Sequence, residues 1–578
     1  MGKILNGFLT VIIFIVITGI SNKNTYAENQ IQTIGGRTCS CTGCACVKKK
    51  CTCNACSCDR LVVTSEEIPD ASVPPQIDGG TSQPLDSAVE PIDAGVPASE
   101  DAAVSEPDSE VLPPEDAGAT EPDVGPPFPN PTPNVILPTF VDLNWEAFPI
   151  DPGPNYVTSG KILVVKKTGN DSNLGTEQQP FLTINKAVSV SSPGDIVKVY
   201  SGVYKEAIKE DYRALVLNKE NLILTAAPGE AVTIEPGSGY KYGIEISASG
   251  IILNGISLNG FTYAVQIGEK NKSQKNVIIS NLNITASSSS AEGIIAYYNT
   301  ANKGFATSDG LLIKNVVISG AGMGISCDSG PCHSWRVENV KVLGAGGSSW
   351  GADGIAIENG ENLLFHQVEV AGFGADGIDT KAKKVVVWGC HIHNLKKNGV
   401  KLWYGGDIVN TIIHNTGADA SVVTEYGPRI RLLHSIIAFH NYKAGSSYNM
   451  TFGYDSNEAQ QVDIVNSIIY KTSGGAYINK NSKLNIENSL FFGMENGNIL
   501  SYGNSDVTIG QGVSGLAQFG SGNIVANPQL NEITFELKST SPGINKGKKL
   551  SVNYPDFDIL GRPRVKSGVC DISPFEGY

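Results

Sequence analysis

The sequence predicts an all-β protein: a right-handed parallel β-helix (solenoid) with an N-terminal helical cap, preceded by a disordered linker rich in Pro, Asp and Glu. Two observations predict the solenoid. Short apolar strands recur with an asparagine in register, and a D/N-G-apolar unit recurs at nearly even spacing. Neighbouring strands are 21 to 34 residues apart, with the excess in loops. One coil of a solenoid has this length, and a coil buries its apolar face only by stacking on the next coil.

The recurring asparagines stand in phrases such as LNGISL, SNLNIT and IKNVVIS. They are Asn254, Asn281, Asn315, Asn339, Asn410, Asn466 and Asn488, and the equivalent positions in other coils hold Gln367, Gly389 and His434. We expect these asparagines to face inward and to hydrogen-bond their neighbours above and below, as side-chain ladders do in other stacked strands.

The segment that opens the solenoid predicts a helix between two strands. Phe181, Ile184, Ala187 and Val188 have helical spacing, and Pro180 fits the start of a helix. A helix in this place would cover the open end of the stack. At the other end, the phrases SPGI, DFDILGRPR and DISPFE break the repeat and resemble the ends of many exported bacterial β-helix proteins.

These patterns divide the chain into five parts. The predicted boundaries are a signal peptide at 1–27, a Cys-rich segment at 28–60, a disordered acidic Pro-rich linker at 61–154, the β-helix at 155–530 and a C-terminal cap at 531–578.

The N-terminus predicts export. Lys3 supplies a positive charge, Phe8 to Ile20 an apolar run, and Thr25-Tyr26-Ala27 a small-x-small cleavage pattern. The apolar run is shorter than the roughly 20 residues that span a bilayer, which favours cleavage over an uncleaved anchor. We therefore expect a secreted, periplasmic or bacterial cell-surface protein with no transmembrane segment after cleavage, and a monomer.

The linker accounts for the net negative charge of the chain. Residues 61–150 hold 18 Asp and Glu, no Lys or Arg, and 17 of the 30 prolines. Such a composition buries too little apolar surface to offset the entropy of ordering. The net charge of −14 argues against a nucleic-acid partner. The rest of the chain is slightly basic, which allows an acidic polysaccharide as partner.

Cysteine usage leaves several states open. Eight of the 12 cysteines lie in CSCTGCACVKKKCTCNACSC (39–58). In an exported chain this cluster predicts disulfides, while its C-x-C units also resemble thiolate metal clusters, and an attachment or processing tag is a further alternative. Cys327 and Cys332 either close a small loop or are two buried thiols.

The candidate site lies in GADGIAIENG, GADGIDTK and KNGVKLW. Asp353, Asp376 and Asn398 begin the same small unit, 23 and 22 residues apart. Stacking would bring Asp353, Asp376, Asp379 and Lys401 towards one face. A D/N-G unit is also what solenoid turns require, since Gly and Asn tolerate positive φ, so a turn role stays open.

These phrases, together with GNDSNLGT…PFLTINKAV…PGDIVKVYSGVYKE, resemble the pectate lyases of polysaccharide lyase family nine over roughly residues 160–440. The resemblance implies that Asp353, Asp376 and Asp379 hold Ca²⁺ and that Lys401 is the catalytic base. Where the family has the first Asp of its D-D-G-x-D phrase, this chain has Ala375.

The implied chemistry explains these residue types. β-Elimination removes the C5 proton of a uronate beside a carboxylate, and a bound cation would neutralise that carboxylate. The base must be neutral, and a lysine can be when nearby cations lower its pKa. The expected substrate-binding residues are Lys381, Trp403, Tyr404, Arg429 and Arg431. His391 and His393 alternate on a strand and are interpreted as surface or stacking residues.

The sequence therefore predicts an exported, calcium-dependent lyase that cleaves uronate-containing, pectate-like polysaccharide. The alternative is a non-catalytic surface adhesin or carbohydrate-binding β-helix on a stalk. A third possibility is another β-helix enzyme: a uronate epimerase, or a glycoside hydrolase, which needs two carboxylates across the scissile bond and no lysine.

Overall fold

The structure is a computed structural model that describes residues 142–153 and 160–577 with their side chains, and the backbone of four strands between Ala27 and Leu61. The longer range is interrupted at 209–211, 238–240, 269–272, 297–307, 329, 347–351, 418–419, 441–447, 457, 504, 551–555 and 566–567. Residues 1–26 of the expected signal peptide and 62–141 of the expected linker lie outside the described residues. No helix in the described part is long and apolar enough to cross a membrane.

The chain divides into two compact units, Met1–Glu115 and Asp116–Tyr578. Four strands form an antiparallel sheet in the first unit: β1 (Ala27–Ile34), β2 (Arg37–Val47), β3 (Lys50–Thr52) and β4 (Ala55–Leu61). Strand β2 pairs with each of the other three. The cysteine side chains of this segment lie outside what the structure describes, so their disulfide or metal-bound state stays a prediction.

The second unit is built from short strands. In its first half they are β5 (Ile162–Val165), β6 (Ile196–Val199), β7 (Gly202–Glu206), β8 (Arg213–Leu217), β9 (Ile223–Ala226), β10 (Val232–Pro236), β11 (Tyr242–Ile246), β12 (Ile252–Asn254), β13 (Ile256–Phe261), β14 (Tyr263–Ile267), β15 (Gln274–Ser280), β16 (Asn283–Ala286), β17 (Glu292–Ala296), β18 (Ser308–Ala321), β19 (Met323–Cys327), β20 (Cys332–His333), β21 (Arg336–Gly344), β22 (Ile355–Ile357) and β23 (Gly360–Ala371). In its second half they are β24 (Ile378–Thr380), β25 (Lys383–Trp388), β26 (His391–His393), β27 (Val400–Leu402), β28 (Gly406–Val409), β29 (Ile412–His414), β30 (Val422–Thr424), β31 (Arg429–Leu433), β32 (Ile436–Ala438), β33 (Met450–Phe452), β34 (Gln461–Val465), β35 (Ile468–Tyr470), β36 (Ala476–Ile478), β37 (Lys483–Glu487), β38 (Leu490–Phe492), β39 (Asn498–Tyr502), β40 (Ser505–Thr508) and β41 (Ile524–Val525).

These strands form two sheets around one core. The smaller sheet contains β8, β11, β14, β17, β19, β22, β24, β27, β30, β33, β36 and β39, with β40 added antiparallel at its end. The other strands of the unit form the larger sheet. Each coil pairs in parallel with the next, so that Ile378 lies beside Val400 and Val400 beside Val422. The predicted right-handed parallel β-helix is confirmed, as a solenoid of about 10 coils.

Stacked aliphatic side chains fill the interior. Ile355, Ile378 and Val400 succeed one another along the stack and are fully buried. Burial of such side chains is worth about 25 cal/mol per Å² of apolar surface, and it is available only when coils are stacked. The inward-facing apolar positions of the repeat therefore specify the solenoid.

A short helix covers the first coils, as predicted. It is α1 (Ile184–Val190), and its Ile184, Ala187 and Val188 are buried in the solenoid core. The helix starts later than Pro180, because the Thr183 side chain accepts a hydrogen bond from the Lys186 N–H and so caps the first turn. A second helix, α2 (Gly512–Leu516), lies near the other end of the solenoid and buries Leu516 in the same core.

A ladder joins four of the seven expected asparagines, but it lies on the outside of a bend and does not face inward. Asn281 donates to Asn254, Asn315 to Asn281 and Asn339 to Asn315, with distances of 2.7, 3.0 and 2.8 Å. Asn281, Asn315 and Asn339 have φ near +50°, a left-handed conformation that Asn tolerates better than most residues. Positive φ turns the chain at the bend, which places these side chains outward. Asn410 and Asn488 instead donate to backbone oxygens of the C-terminal segment.

The solenoid also binds a segment that the sequence assigned to the linker. Leu143 and Phe148 are buried against outward apolar residues of the larger sheet, among them Trp388. Asn144 N–H donates to Asn362 Oδ1 at 2.8 Å, and Asp151 accepts from Lys314 at 2.8 Å. The linker boundary expected at 154 is therefore too late. Residues 142–153 pack on an apolar surface formed by strands that are far away in the sequence, so the composition of the segment alone does not predict its order.

The C-terminal segment packs along the side of the larger sheet. Leu530, Phe535, Ile559, Ile572 and Phe575 cover an outward apolar strip formed by residues 412–490. This is the region expected to be a C-terminal cap.

Four cysteines lie in the solenoid and the C-terminal segment. Cys327 and Cys332 form a disulfide, the first of the two alternatives. Cys390 and Cys570 are free and buried.

Candidate functional site

The Asp-Gly units form a ladder of their own along the smaller sheet. Asp353 Oδ1 accepts from the Asp376 N–H at 2.8 Å, and Asp376 Oδ1 accepts from the Asn398 N–H at 3.0 Å and its side-chain amide at 2.9 Å. Asn398 Oδ1 in turn accepts from the Ala420 N–H at 2.9 Å. One oxygen of each side chain therefore joins a coil to the next. This is a structural role, but not the expected one, since the glycine that follows each of these three residues does not have positive φ. The Oδ2 atoms of Asp353 and Asp376 accept no hydrogen bond from the described residues.

Asp379 and Lys401 are direct neighbours on this sheet. They occupy the outward central positions of β24 and β27 and are paired in the strand register. Lys401 Nζ lies 3.7 Å from Asp379 Oδ2 and 3.9 Å from Asp376 Oδ2. Asp353, Asp376, Asp379 and Lys401 therefore converge on one face, as the spacing predicted.

Aromatic rings lie beside Lys401. Trp403 Nε1 donates to Asp379 Oδ1 at 2.7 Å, and Lys401 Nζ lies 4.5 Å from the centre of the Trp403 ring. Trp403 is followed by Tyr404, and both rings lie near that of Tyr426, at centroid distances of 6.1 and 5.7 Å. Tyr404 and Tyr426 are exposed, so part of this aromatic surface is open to a ligand.

Lys381 lies on the same side and is paired. Its ammonium contacts the Glu358 carboxylate, and it lies 5.6 Å from the centre of the Trp403 ring. Burial opposes the charged form of Lys381, but the contact with Glu358 outweighs it and raises the lysine pKa. Lys381 is therefore held as a cation next to Trp403.

The two arginines expected to bind substrate lie elsewhere. Arg429 and Arg431 are on β31 of the larger sheet, where Arg429 pairs with Asp142 and Arg431 with Asp407 and Asp142. The structure does not bring them to Lys401, because the intervening bend places them on a different sheet. Tyr404 lies at that bend and lines an open groove of about 570 Å³. Other residues lining this groove include Asp142, Glu361, Lys383, Lys384 and Arg429.

Further acidic residues lie along the smaller sheet and were not singled out in the sequence. Asp328 interacts electrostatically with both Glu292 and Glu358, and Glu358 with Asp379. Glu425 interacts electrostatically with Lys401. With the predicted aspartates, these residues form what we call the acidic cluster: Glu292, Asp328, Asp353, Glu358, Asp376, Asp379 and Glu425. Their positions in the repeat could have identified them. Asp328 and Glu358 each directly follow a strand of the smaller sheet, as Lys381 and Trp403 do, so these four side chains occupy equivalent positions in successive coils.

Burial and mutual repulsion raise the pKa of several members of the cluster. Burial raises the pKa of Asp353 to about 7, and Asp376 and Asp379 add to the rise. The pKa of Asp379 rises to about 6, mainly through burial and against the effect of Lys401. Burial and then Asp328 raise the pKa of Glu292 to about 7. The cluster thus holds more carboxylates than the nearby cations neutralise.

The donor chemistry of this cluster fits Ca²⁺. Carboxylate oxygens are the ligands that calcium prefers, and Asp353 and Asp376 each keep one oxygen outside the ladder. Among the described residues, however, the carboxylate oxygens of Asp353, Asp376 and Asp379 do not all approach within 4.8 Å of one another. A shared ion therefore requires these side chains to rotate and Lys401 to withdraw from between Asp376 and Asp379.

Comparison with known proteins places the repeat in a known structural class. Residues 324–513, less than half of the chain, match the family model described as a right handed beta helix region. No curated protein matches the chain in sequence.

Several solved structures resemble it at low identity. The pectate lyase Pel9A is 14% identical, with a TM-score of 0.45 over 73% of this chain and 97% of that chain. PfbA, a surface adhesin of Streptococcus pneumoniae, is 14% identical, with a TM-score of 0.39 over 56% and 90%. The A-module of the Azotobacter vinelandii mannuronan C-5 epimerase AlgE4 is 14% identical, with a TM-score of 0.34 over 50% and 91%. The match to the family model agrees with the right-handed β-helix fold of the site region, and none of these similarities assigns a reaction to the chain.

Proposed function

We propose that this protein cleaves uronate-containing polysaccharide by β-elimination, with Lys401 as the base and Asp353, Asp376 and Asp379 as ligands of Ca²⁺. The convergence of these four side chains on one outward face carries the proposal. Had they diverged onto different faces, no single sugar could contact all of them.

In the proposed reaction, Lys401 Nζ takes the C5 proton of a uronate. The electrons of the C–H bond form the C4–C5 double bond, and the C4–O bond breaks. Its electron pair stays on the oxygen of the leaving sugar, which takes up a proton from water. When bound, Ca²⁺ would neutralise the uronate carboxylate beside C5 and so make that proton more acidic.

The surrounding residues have positioning roles. Trp403 holds Asp379 by its indole N–H, and the Asp353–Asp376–Asn398 ladder fixes the coils that carry the carboxylates. Tyr404 and Tyr426 are exposed, and Tyr426 lies beside Trp403, so the two tyrosines offer an aromatic surface on which a sugar can pack.

The test is the ultraviolet absorbance of unsaturated uronate products. The full chain is incubated with polygalacturonate and other uronate polymers, with Ca²⁺ or with EGTA, beside Lys401→Ala. Lys483→Ala is the matched control, since Lys483 is an exposed strand lysine of the larger sheet. We expect a calcium-dependent rise that Lys401→Ala reduces on the order of 10²–10⁴-fold and Lys483→Ala leaves unchanged. An unreduced rise in Lys401→Ala would refute its role as the base.

A non-catalytic carbohydrate-binding role is the second candidate. It is favoured by the backbone ladder, which gives Asp353 and Asp376 a structural reason to be present without catalysis. It is also favoured by tyrosines further along the same sheet, where Tyr477 contacts the rings of Tyr448 and Tyr454. A flat absorbance trace together with retained binding to polysaccharide would select this alternative. Inversion at C5 without cleavage, seen by NMR of the polymer, would select an epimerase.

A further inference from the structure

Three histidines gather on the larger sheet, on a different sheet from Lys401. His391 and His393 lie on β26, and His414 lies on β29, one coil further along. His393 and His414 are paired in the strand register. Each of the three residues offers a side-chain nitrogen within 4.8 Å of the other two, and His391 Nε2 lies 2.8 Å from His414 Nε2.

The environment of these rings is not that of surface histidines. His391 and His393 are buried, with exposed fractions of 5% and 2%. The rings do stack, as the sequence suggested, with centroids 4.1 Å apart for His391 and His393 and 5.0 Å apart for each of these with His414. Phe535 of the C-terminal segment packs on His414 with ring centroids 4.7 Å apart. The cluster thus lies at the edge of the strip that this segment covers.

The cluster contains a buried nitrogen without a satisfactory partner. His393 Nε2 makes no hydrogen bond to the described residues. Glu369 Oε1 lies 3.5 Å away. Against the effect of burial, this contact helps to lower the pKa of Glu369, but at that length it is at most a weak hydrogen bond. Buried polar atoms of this kind are rare and call for an explanation, such as a bound ion.

The donor set points to a particular class of ligand. Neutral imidazoles suit Zn²⁺, Cu²⁺ and Ni²⁺, whereas Ca²⁺ and Mg²⁺ prefer oxygen ligands. Glu369 also carries a partner on its far side, since its carboxylate lies 2.7 Å from Lys341 Nζ. A carboxylate beside a histidine ligand is common in metal sites.

We propose that His391, His393 and His414 bind a divalent transition metal such as Zn²⁺, with Glu369 or water completing the site. Zinc binds imidazole nitrogen at about 2.0–2.1 Å in a tetrahedral arrangement, which needs ligand nitrogens slightly further apart than the present His391–His414 pair. Binding would therefore move the His391 and His414 rings slightly apart and bring the nitrogen of His393, which lies within 4.8 Å of both, to the same ion. The metal would join adjacent coils beneath the C-terminal segment and stabilise the solenoid, independently of the proposed lyase function.

The cysteine-rich segment is a competing metal binder, so the test must distinguish nitrogen from sulfur ligands. The full chain is stripped with a chelator, loaded with Zn²⁺ to saturation and analysed for metal content and by X-ray absorption. Zn–N distances of about 2.0–2.1 Å differ from Zn–S distances of about 2.3 Å, so wild-type spectra report both kinds of site. His391→Gln and His414→Gln are compared with His333→Gln, a histidine on β20 outside the cluster.

We expect the wild type and His333→Gln to hold one more equivalent of Zn²⁺ than either cluster variant, with the difference in nitrogen ligands. Zn²⁺ should raise the melting temperature of the wild type and of His333→Gln more than that of the cluster variants, because a ligand stabilises the state that binds it. Equal metal content in all four proteins, or sulfur ligands alone in the saturated wild type, would overturn the proposal. If a cluster variant fails to fold, the wild-type spectrum still decides the matter.

Discussion

Asp353 and Asp376 show how one residue type serves two purposes in this solenoid. In each, Oδ1 accepts a backbone N–H from the next coil, while Oδ2 is left outside the ladder. Asn398, the third member, uses its amide oxygen in the same way but brings no charge. Asn is thus sufficient for the ladder. The ladder does not require the negative charges of Asp353 and Asp376. Their presence therefore favours a binding role for these two carboxylates, such as the proposed Ca²⁺ site.

Glu292 should make stability depend on pH. Its pKa rises from about 4.5 to about 7, first through burial and then through Asp328, so the folded state binds the proton more tightly than the unfolded chain. Its contribution to stability is therefore largest below the unfolded value and declines as pH rises towards 7. We expect Glu292→Gln to raise the melting temperature above pH 7 by on the order of 2 °C and to have little effect near pH 4, measured by circular dichroism. An equal effect at both pH values would contradict this origin.

Two kinds of element shape the solenoid beyond its strands: the bends between strands, and the two segments that pack on the larger sheet. The asparagine ladder marks one bend in successive coils because the backbone there must adopt positive φ. Two segments cover outward apolar surface of the larger sheet: residues 142–153 on one strip and the C-terminal segment on another. The smaller sheet carries the acidic cluster on its outward side.

Asn315 tests the ladder. Its side chain donates to Asn281 and accepts from Asn339, and its φ is +54°. We expect Asn315→Ala to destabilise the solenoid by about 1–2 kcal/mol, since Ala is strained at this φ and makes neither hydrogen bond. Asn315→Gly should destabilise less, because Gly adopts positive φ without strain. Urea midpoints of the two variants give the comparison, and equal losses would mean that backbone conformation is unimportant there.

Phe148 tests the docking of residues 142–153. It is buried against the larger sheet and lies 5.7 Å from Trp145, measured between ring centroids. We expect Phe148→Ala to weaken docking by about 3 kcal/mol, because a large buried ring is removed. Amide hydrogen exchange over residues 142–153 should then accelerate. Glu146→Ala, an exposed change in the same segment, is the control and should alter exchange little.

At the scale of the whole molecule, charge and proposed substrate are in tension. The chain outside the linker has a slightly positive net charge. The outward face of the smaller sheet is nevertheless acidic, since seven carboxylates form the acidic cluster around Lys381 and Lys401. A polyanion would be repelled from such a face unless cations lie between them. Calcium is therefore expected to be needed for binding as well as for the chemical step.

This argument predicts how binding responds to calcium. Binding of the full chain to polygalacturonate should fall at least tenfold, about 1.4 kcal/mol, when EGTA removes Ca²⁺. Lys401→Ala should keep calcium-dependent binding while losing the absorbance change, so affinity electrophoresis of this variant separates binding from chemistry. Binding of polygalacturonate that is equally tight in EGTA would remove the case for a calcium-bridged substrate.

Much of the fold was predictable because it is periodic. The coil length, the inward apolar positions and the N-terminal helix each follow from residues close in sequence, whereas the expected inward direction of the asparagines was wrong. The convergence of Asp353, Asp376, Asp379 and Lys401 followed from the same spacing. Sequence reasoning failed where periodicity is absent. Residues 142–153 have no repeat, and their apolar side chains are explained only by the surface on which they dock.

A regular repeat specifies which side chains stack, so the solenoid and the face that carries the acidic residues and Lys401 follow from the spacing of residues along the chain. Which groups touch depends on the tertiary structure. It brings His414 close to His391 and His393. It pairs Arg429 with Asp142 and Arg431 with Asp407, and it places Lys401 between Asp376 and Asp379. Bends and loops of unequal length lie between these residues. Their contacts therefore depend on how the coils and covering segments pack, which spacing along the chain does not specify.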